Sequence, residues 1–375
     1  VFEPVGQWLR PWYYRRNGED MAAAVAREVK AARTSIGILD ASTLGKIDLQ
    51  GPDVPEFLNR IYTNTWGRLA VGRCRYGLML GEDGMVFDDG VTARLGEQHW
   101  LMSTTTGGAA RVLAWLEEWL QTEWPELRVF CTSVTEQWAT VGLSGPRVRE
   151  LVAELVPGLD LDPEQFPHLS VRAAEVLGMP ARVFRISFTG EQGYEIQIPA
   201  SYGLALWRAC IDAGRKYGIT PYGTEAMHVL RAEKGYIIAG QETDGTVTPD
   251  DLGMAWIIGR QKPDFIGKRS LARADLQRDG RKQLVGLLPD DPRELLEEGA
   301  QLVADPAEAI PMTMLGHVTS AYYSPNLGRS FALALLENGR ARIGQTLHVP
   351  LPDRTLAVTV TEPVFIDPEG SRLHG

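Results

Sequence analysis

One six-residue phrase occurs twice in this chain, as Leu49-Gln50-Gly51-Pro52-Asp53-Val54 and as Leu143-Ser144-Gly145-Pro146-Arg147-Val148. Each copy closes an apolar, strand-like run, turns at Gly-Pro and leads into a helical pattern. In the first copy the apolar residues Val54, Phe57, Leu58 and Ile61 recur at helical spacing. Proline in the first helical turn is tolerated, because its missing N–H has no partner inside a helix. The repeat is either coincidence or the mark of a duplicated α+β half.

Periodicity predicts further helices over residues 20–32, 108–120, 201–216 and 224–234. Thr224 suits an N-cap and Gly235 a C-terminal left-handed residue. Strands are expected at 35–40, 46–49 and 100–103, and across much of 172–198. The chain turns polar at Asp275, Gln277, Arg278, Asp279 and Arg281, which suggests a boundary between a domain at 1–280 and another at 281–375. The second reads as short strands (284–288, 316–320, 332–336, 346–349 and 355–361), the pattern of a small all-β sandwich or barrel.

With 375 residues, 44% of them hydrophobic and 23% charged, the chain is long and apolar enough for a substantial core. A net charge of −10 disfavours nucleic acid or an anionic membrane surface as partner. No apolar run approaches the ~18 residues of a bilayer-spanning helix. No signal-peptide pattern opens the chain, and Cys74, Cys131 and Cys210 are scattered, which together suit a reducing, cytoplasmic setting. The abrupt aromatic opening from Val1, with Trp8, Trp12, Tyr13 and Tyr14, suggests a piece of a longer polypeptide, its aromatics either docking neighbours or packing locally. Dinucleotide, serine-hydrolase and zinc-protease motifs are missing. Gly267-Lys268-Arg269-Ser270 lacks the phosphate-loop spacing, and the six histidines form no ligand pair, so no metal site is expected.

The segment 84–94 reads as a strand. Met85, Phe87, Asp89, Val91 and Ala93 share one face, so Asp89 is the single polar group on an apolar face. A carboxylate placed there is costly unless partnered, and its pKa tends upward. It is either a functional group or an Asp satisfied by backbone N–H groups at a turn. Asp88 shares the other face with Thr92 and Arg94 and is expected in solvent. By alternation alone Glu195 and Gln197 face outward, and Arg231 reads as a solvated helix charge.

Four ordered stretches resemble the folate-dependent aminomethyltransferases, the family of the glycine cleavage T-protein. They are Gly37-Ile38-Leu39-Asp40-Ala41-Ser42-Thr43-Leu44-Gly45, the run from Gly84 to Asp89, Thr189-Gly190-Glu191-Gln192-Gly193-Tyr194-Glu195, and Gly316-His317-Val318-Thr319-Ser320 with Ser324-Pro325. The opening Phe2 to Tyr14 and the ending Pro363 to Gly370 resemble the C-terminal half of heterotetrameric sarcosine oxidase alpha subunits.

The resemblance implies an α+β fold: a folate-binding core of two intertwined α+β subdomains plus a C-terminal β-barrel. It implies tetrahydrofolate as cofactor and an iminium from sarcosine or a related N-methyl amino acid as donor, giving 5,10-methylenetetrahydrofolate. NAD and FMN or FAD would belong to other parts of the complex, with flavin-bearing beta and small subunits as partners. The catalytic carboxylate matches Asp89, the pterin-holding Glu matches Glu195, and Arg231 matches an Arg that orients the pterin or counters Glu195. Other folate-lining matches are Leu44, Tyr76, Val91, Leu101, Ser103, Thr105, Phe188 and Trp256. Phe188 and Thr105 stand where T-proteins carry Tyr and Asn. The alternative is a non-catalytic folate-binding or structural module.

Overall fold

The computed structural model describes residues 1–374. A hairpin of β1 (Phe2–Val5) and β2 (Trp8–Pro11) opens the chain. The first repeat then runs α1 (Met21–Thr34), β3 (Gly37–Asp40), β4 (Gly45–Gln50), α2 (Val54–Ile61), β5 (Cys74–Leu80), β6 (Val86–Arg94) and β7 (His99–Thr104). The second runs α3 (Ala109–Thr122), β8 (Phe130–Ser133), β9 (Trp138–Ser144), α4 (Val148–Leu155), β10 (Ser170–Val176), β11 (Met179–Arg185) and β12 (Gly193–Pro199). Both have the order α-β-β-α-β-β-β. After them come α5 (Gly203–Gly214), β13 (Thr220–Pro221), α6 (Thr224–Glu233) and α7 (Ala274–Gln277). Six strands close the chain: β14 (Lys282–Pro289), β15 (Gln301–Val303), β16 (Met314–Ser324), β17 (Arg329–Glu337), β18 (Thr346–Pro350) and β19 (Thr355–Thr361).

The duplication read from the two Gly-Pro phrases is thus present in the topology. One sheet has the order β5-β6-β7-β4-β8 and the other β10-β11-β12-β9-β3-β13. The leading strand of each repeat lies in the other repeat's sheet: β3 pairs antiparallel with β9, and β8 antiparallel with β4. This exchange is what intertwines the two subdomains. At both Gly-Pro turns the glycine holds φ +133°. A Cβ there would lie 2.0 Å from the Arg128 carbonyl oxygen at Gly51 and 2.3 Å from that of Ser35 at Gly145. Glycine is required at both by conformation and by space.

The contacts divide the chain into two compact units. The first comprises Val1–Met79, Asp88–Met227 and residues 369–374, and holds both sheets of the core. Helices cover the outer face of the second sheet, where Tyr194, Ile196 and Ile198 pack with Val148, Leu151, Val152, Leu206 and Cys210. Each such buried aliphatic side chain contributes about 1.5–3 kcal/mol. The inner faces of the two sheets meet through Ala93 and Leu101 from one and Val171 and Phe184 from the other. The opening aromatics pack within this unit. Trp12 Nε1 donates to Glu225 at 2.9 Å, and Tyr14 stacks on Trp207 with centroids 6.3 Å apart.

The second unit comprises Leu80–Phe87 and His228–Pro368. Its strands form a closed barrel, β14-β17-β16-β15-β18-β19, which leaves no free sheet edge. Alternate residues such as Val285, Leu287, Val318, Ala334, Leu336, Val358 and Val360 fill it. The short β15 went unread in the sequence. Thr224, expected to cap α6, instead gives its hydroxyl to Glu3.

Candidate active site on the inner faces of the core sheets

Strand alternation decides which side chains meet between the sheets. In β6, Ala93 lies against Leu101 of β7, so Asp89 and Val91 share that inner face. Lys46 of β4 is in register with Ser103, and Asp48 with Leu101, which puts them on the same face. From the second sheet Glu195 is in register with Phe184, itself part of the inter-sheet cluster. Opposite Glu195 on β9 is Gly142, which has no side chain to fill the space. The apolar face that carries Asp89 is therefore the one turned to the second sheet. The expectation that Glu195 and Gln197 face water fails because both faces of their sheet are covered, and Gln197 is buried.

Asp89 is half-buried, and Tyr76 donates its hydroxyl to Asp89 Oδ2 at 2.7 Å. Burial pushes the Asp89 carboxyl up to about 7; the Tyr76 hydrogen bond opposes the rise and the Asp88 charge adds to it. The Tyr76 hydroxyl is itself driven upward by burial and by Asp89. The reading of Asp89 as satisfied by backbone N–H groups at a turn does not fit this geometry: it lies in β6 and its side-chain partner is the Tyr76 hydroxyl.

Asp88 is not in solvent; its exposure is 0%. It points to the helix-covered face and accepts from Thr105 Oγ1 at 3.1 Å and from the Asp89 N–H at 2.7 Å. A Cβ on Gly108, the residue before α3, would lie 2.3 Å from Asp88 Oδ2. The glycine lets the carboxylate approach the positive end of that helix. Thr105 also accepts from the Gly108 N–H at 3.2 Å. Thr105 therefore orders the Asp88 side of the strand. On the same face Thr92 meets the hydroxyl of Tyr62 at 3.0 Å.

Glu195 accepts no hydrogen bond from any side chain or backbone N–H among the described residues. Burial raises its carboxyl to about 7, and the opposing charge is Lys46. Lys46, which the sequence reading did not single out, is 1% exposed. Its ammonium donates to the carbonyls of Ser42 at 2.9 Å and Leu44 at 3.0 Å, which fixes Leu44 at the entry to β4. Burial lowers it to about 8, against the charges of Glu195 and Asp40. The signal for Lys46 was its alternation with Ile47 and Leu49 in a strand flanked on both sides by others. Phe188 is 38% exposed, in the loop between β11 and β12.

Arg231 and Trp256 belong to the second unit. Arg231 is fully buried, not a solvated helix charge. It pairs with Glu242 at 2.7 Å and donates to Ser320 Oγ at 2.7 Å. Glu242 also accepts from the Ile238 N–H at 2.8 Å and from Ser320 at 2.5 Å. Arg231, Glu242, Thr319 and Ser320 thus form one buried, hydrogen-bonded network, the condition under which a buried ion pair is tolerated. The countercharge acting on Glu195 is Lys46, while the Arg231 guanidinium is engaged by Glu242. Trp256 is 72% exposed, on a 3₁₀ turn. A cavity of about 420 Å³ in this unit, lined among others by Thr248, Asp251, Arg281 and Asn338, includes none of the predicted site residues.

Residues 1–262 match the family model of the GCVT N-terminal domain, and residues 282–367 that of the glycine cleavage T-protein C-terminal barrel domain. The chain belongs to the glycine cleavage T-protein family. Within that family it is 58% identical to the sarcosine oxidase subunit alpha of Corynebacterium sp. (strain P-1), over 100% of this chain and 39% of that protein. It is 29% identical to an aminomethyltransferase of Thermotoga sp. (strain RQ2), over 96% of this chain and 92% of that one. The T-protein-family chain thus spans about two fifths of the sarcosine oxidase alpha subunits it matches. The glycine cleavage system aminomethyltransferase T from Bartonella henselae has the same fold, with a TM-score of 0.84 at 22% identity over 98% of this chain and 94% of that one. No helix among the described residues is long and apolar enough to cross a membrane.

Proposed function

We propose that this chain carries out tetrahydrofolate-dependent one-carbon transfer. The iminium carbon derived from sarcosine or a related N-methyl amino acid bonds to tetrahydrofolate, its bond to the donor nitrogen breaks, and the demethylated amino acid (glycine from sarcosine) leaves as 5,10-methylenetetrahydrofolate forms, as part of a sarcosine oxidase alpha subunit. The observation that carries the reading is Asp89: a carboxylate on an inner sheet face, oriented by Tyr76 and raised to about 7. A carboxyl poised near neutral pH can exchange a proton with a reacting amine, and its anion favours positive charge there.

Tetrahydrofolate, when bound, supplies the two amines, one in the pterin ring and one beside it, that accept the one-carbon unit. The residues fit such a group. Glu195 presents a carboxylate with open acceptor positions, as pterin N–H groups require. Leu44, Val91 and Leu101 supply apolar walls, and Ser103 a hydroxyl, around the same inner face. Phe188, Thr105, Arg231 and Trp256 are the remaining matches implied by the family resemblance; of these Thr105 is engaged by Asp88 and Arg231 by Glu242. Confinement of both reactants beside Asp89 replaces an encounter in solution with a positioned one. Flavin-bearing beta and small subunits would generate the iminium, with NAD and FMN or FAD held outside this chain. The three free cysteines suit a cytoplasmic setting.

The test is anaerobic calorimetric titration of tetrahydrofolate into the wild-type chain and Glu195→Ala. The expected result is binding that the substitution abolishes. A folded wild type that binds no folate would sink the proposal in favour of a structural module. Binding without transfer in the presence of a flavin partner would leave a non-catalytic folate-binding domain.

A further inference from the structure

We propose that Lys46 is a positioning residue of the folate site, fixing the Leu44 turn through two carbonyls and holding Glu195 as an anionic acceptor. The inference rests on the folate reading above and concerns a residue that the family resemblance did not assign. Three observations carry it. Lys46 is 1% exposed in the middle of the first sheet, where an ammonium is costly unless something nearby needs its charge. Two of its three N–H groups are given to Ser42 and Leu44 carbonyls, which sets the ammonium's position. Its charge acts on Glu195, whose carboxylate has no other countercharge and no hydrogen-bond donor among the described residues.

The groups within electrostatic reach of Glu195 are few. Cys74 on β5 and Tyr222 after β13 both feel its charge, and burial raises both, Tyr222 to about 12, so they stay neutral at physiological pH. Asp40 at the end of β3 acts on Lys46 from the other side. Among the described residues Lys46 is therefore the cation that opposes protonation of Glu195. A protonated Glu195 loses an acceptor and places a donor against pterin N–H groups, so the charge state decides recognition.

The experiment is anaerobic titration of tetrahydrofolate from about pH 6 to about pH 9. It uses the wild type, Lys46→Met, Lys46→Arg, Glu195→Gln and the Lys46→Met/Glu195→Gln double variant. Wild-type affinity should fall on the acid side as Glu195 takes up a proton. Lys46→Met should move that limb upward by about one pH unit, an affinity loss of about fivefold at pH 7 that approaches about tenfold on the acid side. Lys46→Arg should restore the acid limb. On the Glu195→Gln background the acid limb should vanish, and Lys46→Met should shift nothing further with pH. A uniform loss in Lys46→Met across the whole range would overturn the proposal, because a merely structural lysine gives that result. Should Lys46→Met fail to fold, an acid limb in Glu195→Gln that matches wild type overturns it equally. A wild type that binds no folate at any pH overturns the folate reading itself, a result distinguishable from an unmoved limb.

Discussion

The first and second repeats of the core are built alike and differ in what they present inward. Each runs helix, two strands, Gly-Pro turn, eight-residue helix and three-strand meander, and each lends its leading strand to the other's sheet. Yet β4 to β7 bring Lys46, Asp89, Tyr76, Leu101 and Ser103 to the inner face, whereas β9 to β12 bring Glu195. The repeat fixes the scaffold twice, and the copies diverge in the side chains they present inward. A duplicated frame supplies two facing sheets, and the inner positions carry different charged groups on the two walls.

That division can be broken at several points. The largest effect is expected from Asp89→Asn, which should keep tetrahydrofolate binding but slow transfer by about 10²–10⁴-fold. A coupled assay with the flavin partner measures it, and unchanged turnover would remove Asp89 from the chemistry. The scaffold should respond symmetrically. Gly51→Ala and Gly145→Ala, at the same φ and with similar clashes, should each cost about 3 kcal/mol in denaturant unfolding. A large cost at one turn and none at the other would argue that the repeats no longer do equivalent structural work.

The adjacent carboxylates sharpen the comparison within one strand. Asp88→Ala should destabilise by about 2 kcal/mol, because it strands the Thr105 hydroxyl and the Asp89 N–H. Asp89→Asn should instead stabilise, by on the order of 1 kcal/mol at pH 8. The sign follows from the raised carboxyl. Between its ordinary 3.8 and about 7 the folded state binds more protons than the unfolded one, so this group's contribution is lost as pH rises through that window. Thermal melts at pH 5 and pH 8 check this, since the gain of Asp89→Asn should shrink at the lower pH. Equal signs for the two substitutions would show that the two carboxylates are not divided between scaffold and site.

Much of the fold was legible. The Gly-Pro phrases marked the duplication because local turn geometry is a local property: glycine at φ +133° followed by proline at a helix start is readable wherever it occurs. The helices other than the short α7 were found within a few residues, and the closing all-β unit, read as a sandwich or barrel, from its short strands. Asp89 was legible because alternation along β6 isolates it. Asp88, Glu195 and Lys46 were misread or passed over for one reason. Alternation tells which residues share a face but not what covers that face. In an antiparallel sheet the polar face usually meets water; here helices cover one side and the other sheet covers the second.

The sequence by itself therefore determined the elements, their turns and the pairing of Asp89 with an apolar face, because these depend on residues close along the chain. Only the tertiary structure decided that β3 and β8 exchange sheets, that Lys46 answers Glu195 from the opposite wall, and that Arg231 is committed to Glu242. Those outcomes depend on which surfaces meet. The cost of burying a charge is settled by the partner found there, often more than a hundred residues away in the chain.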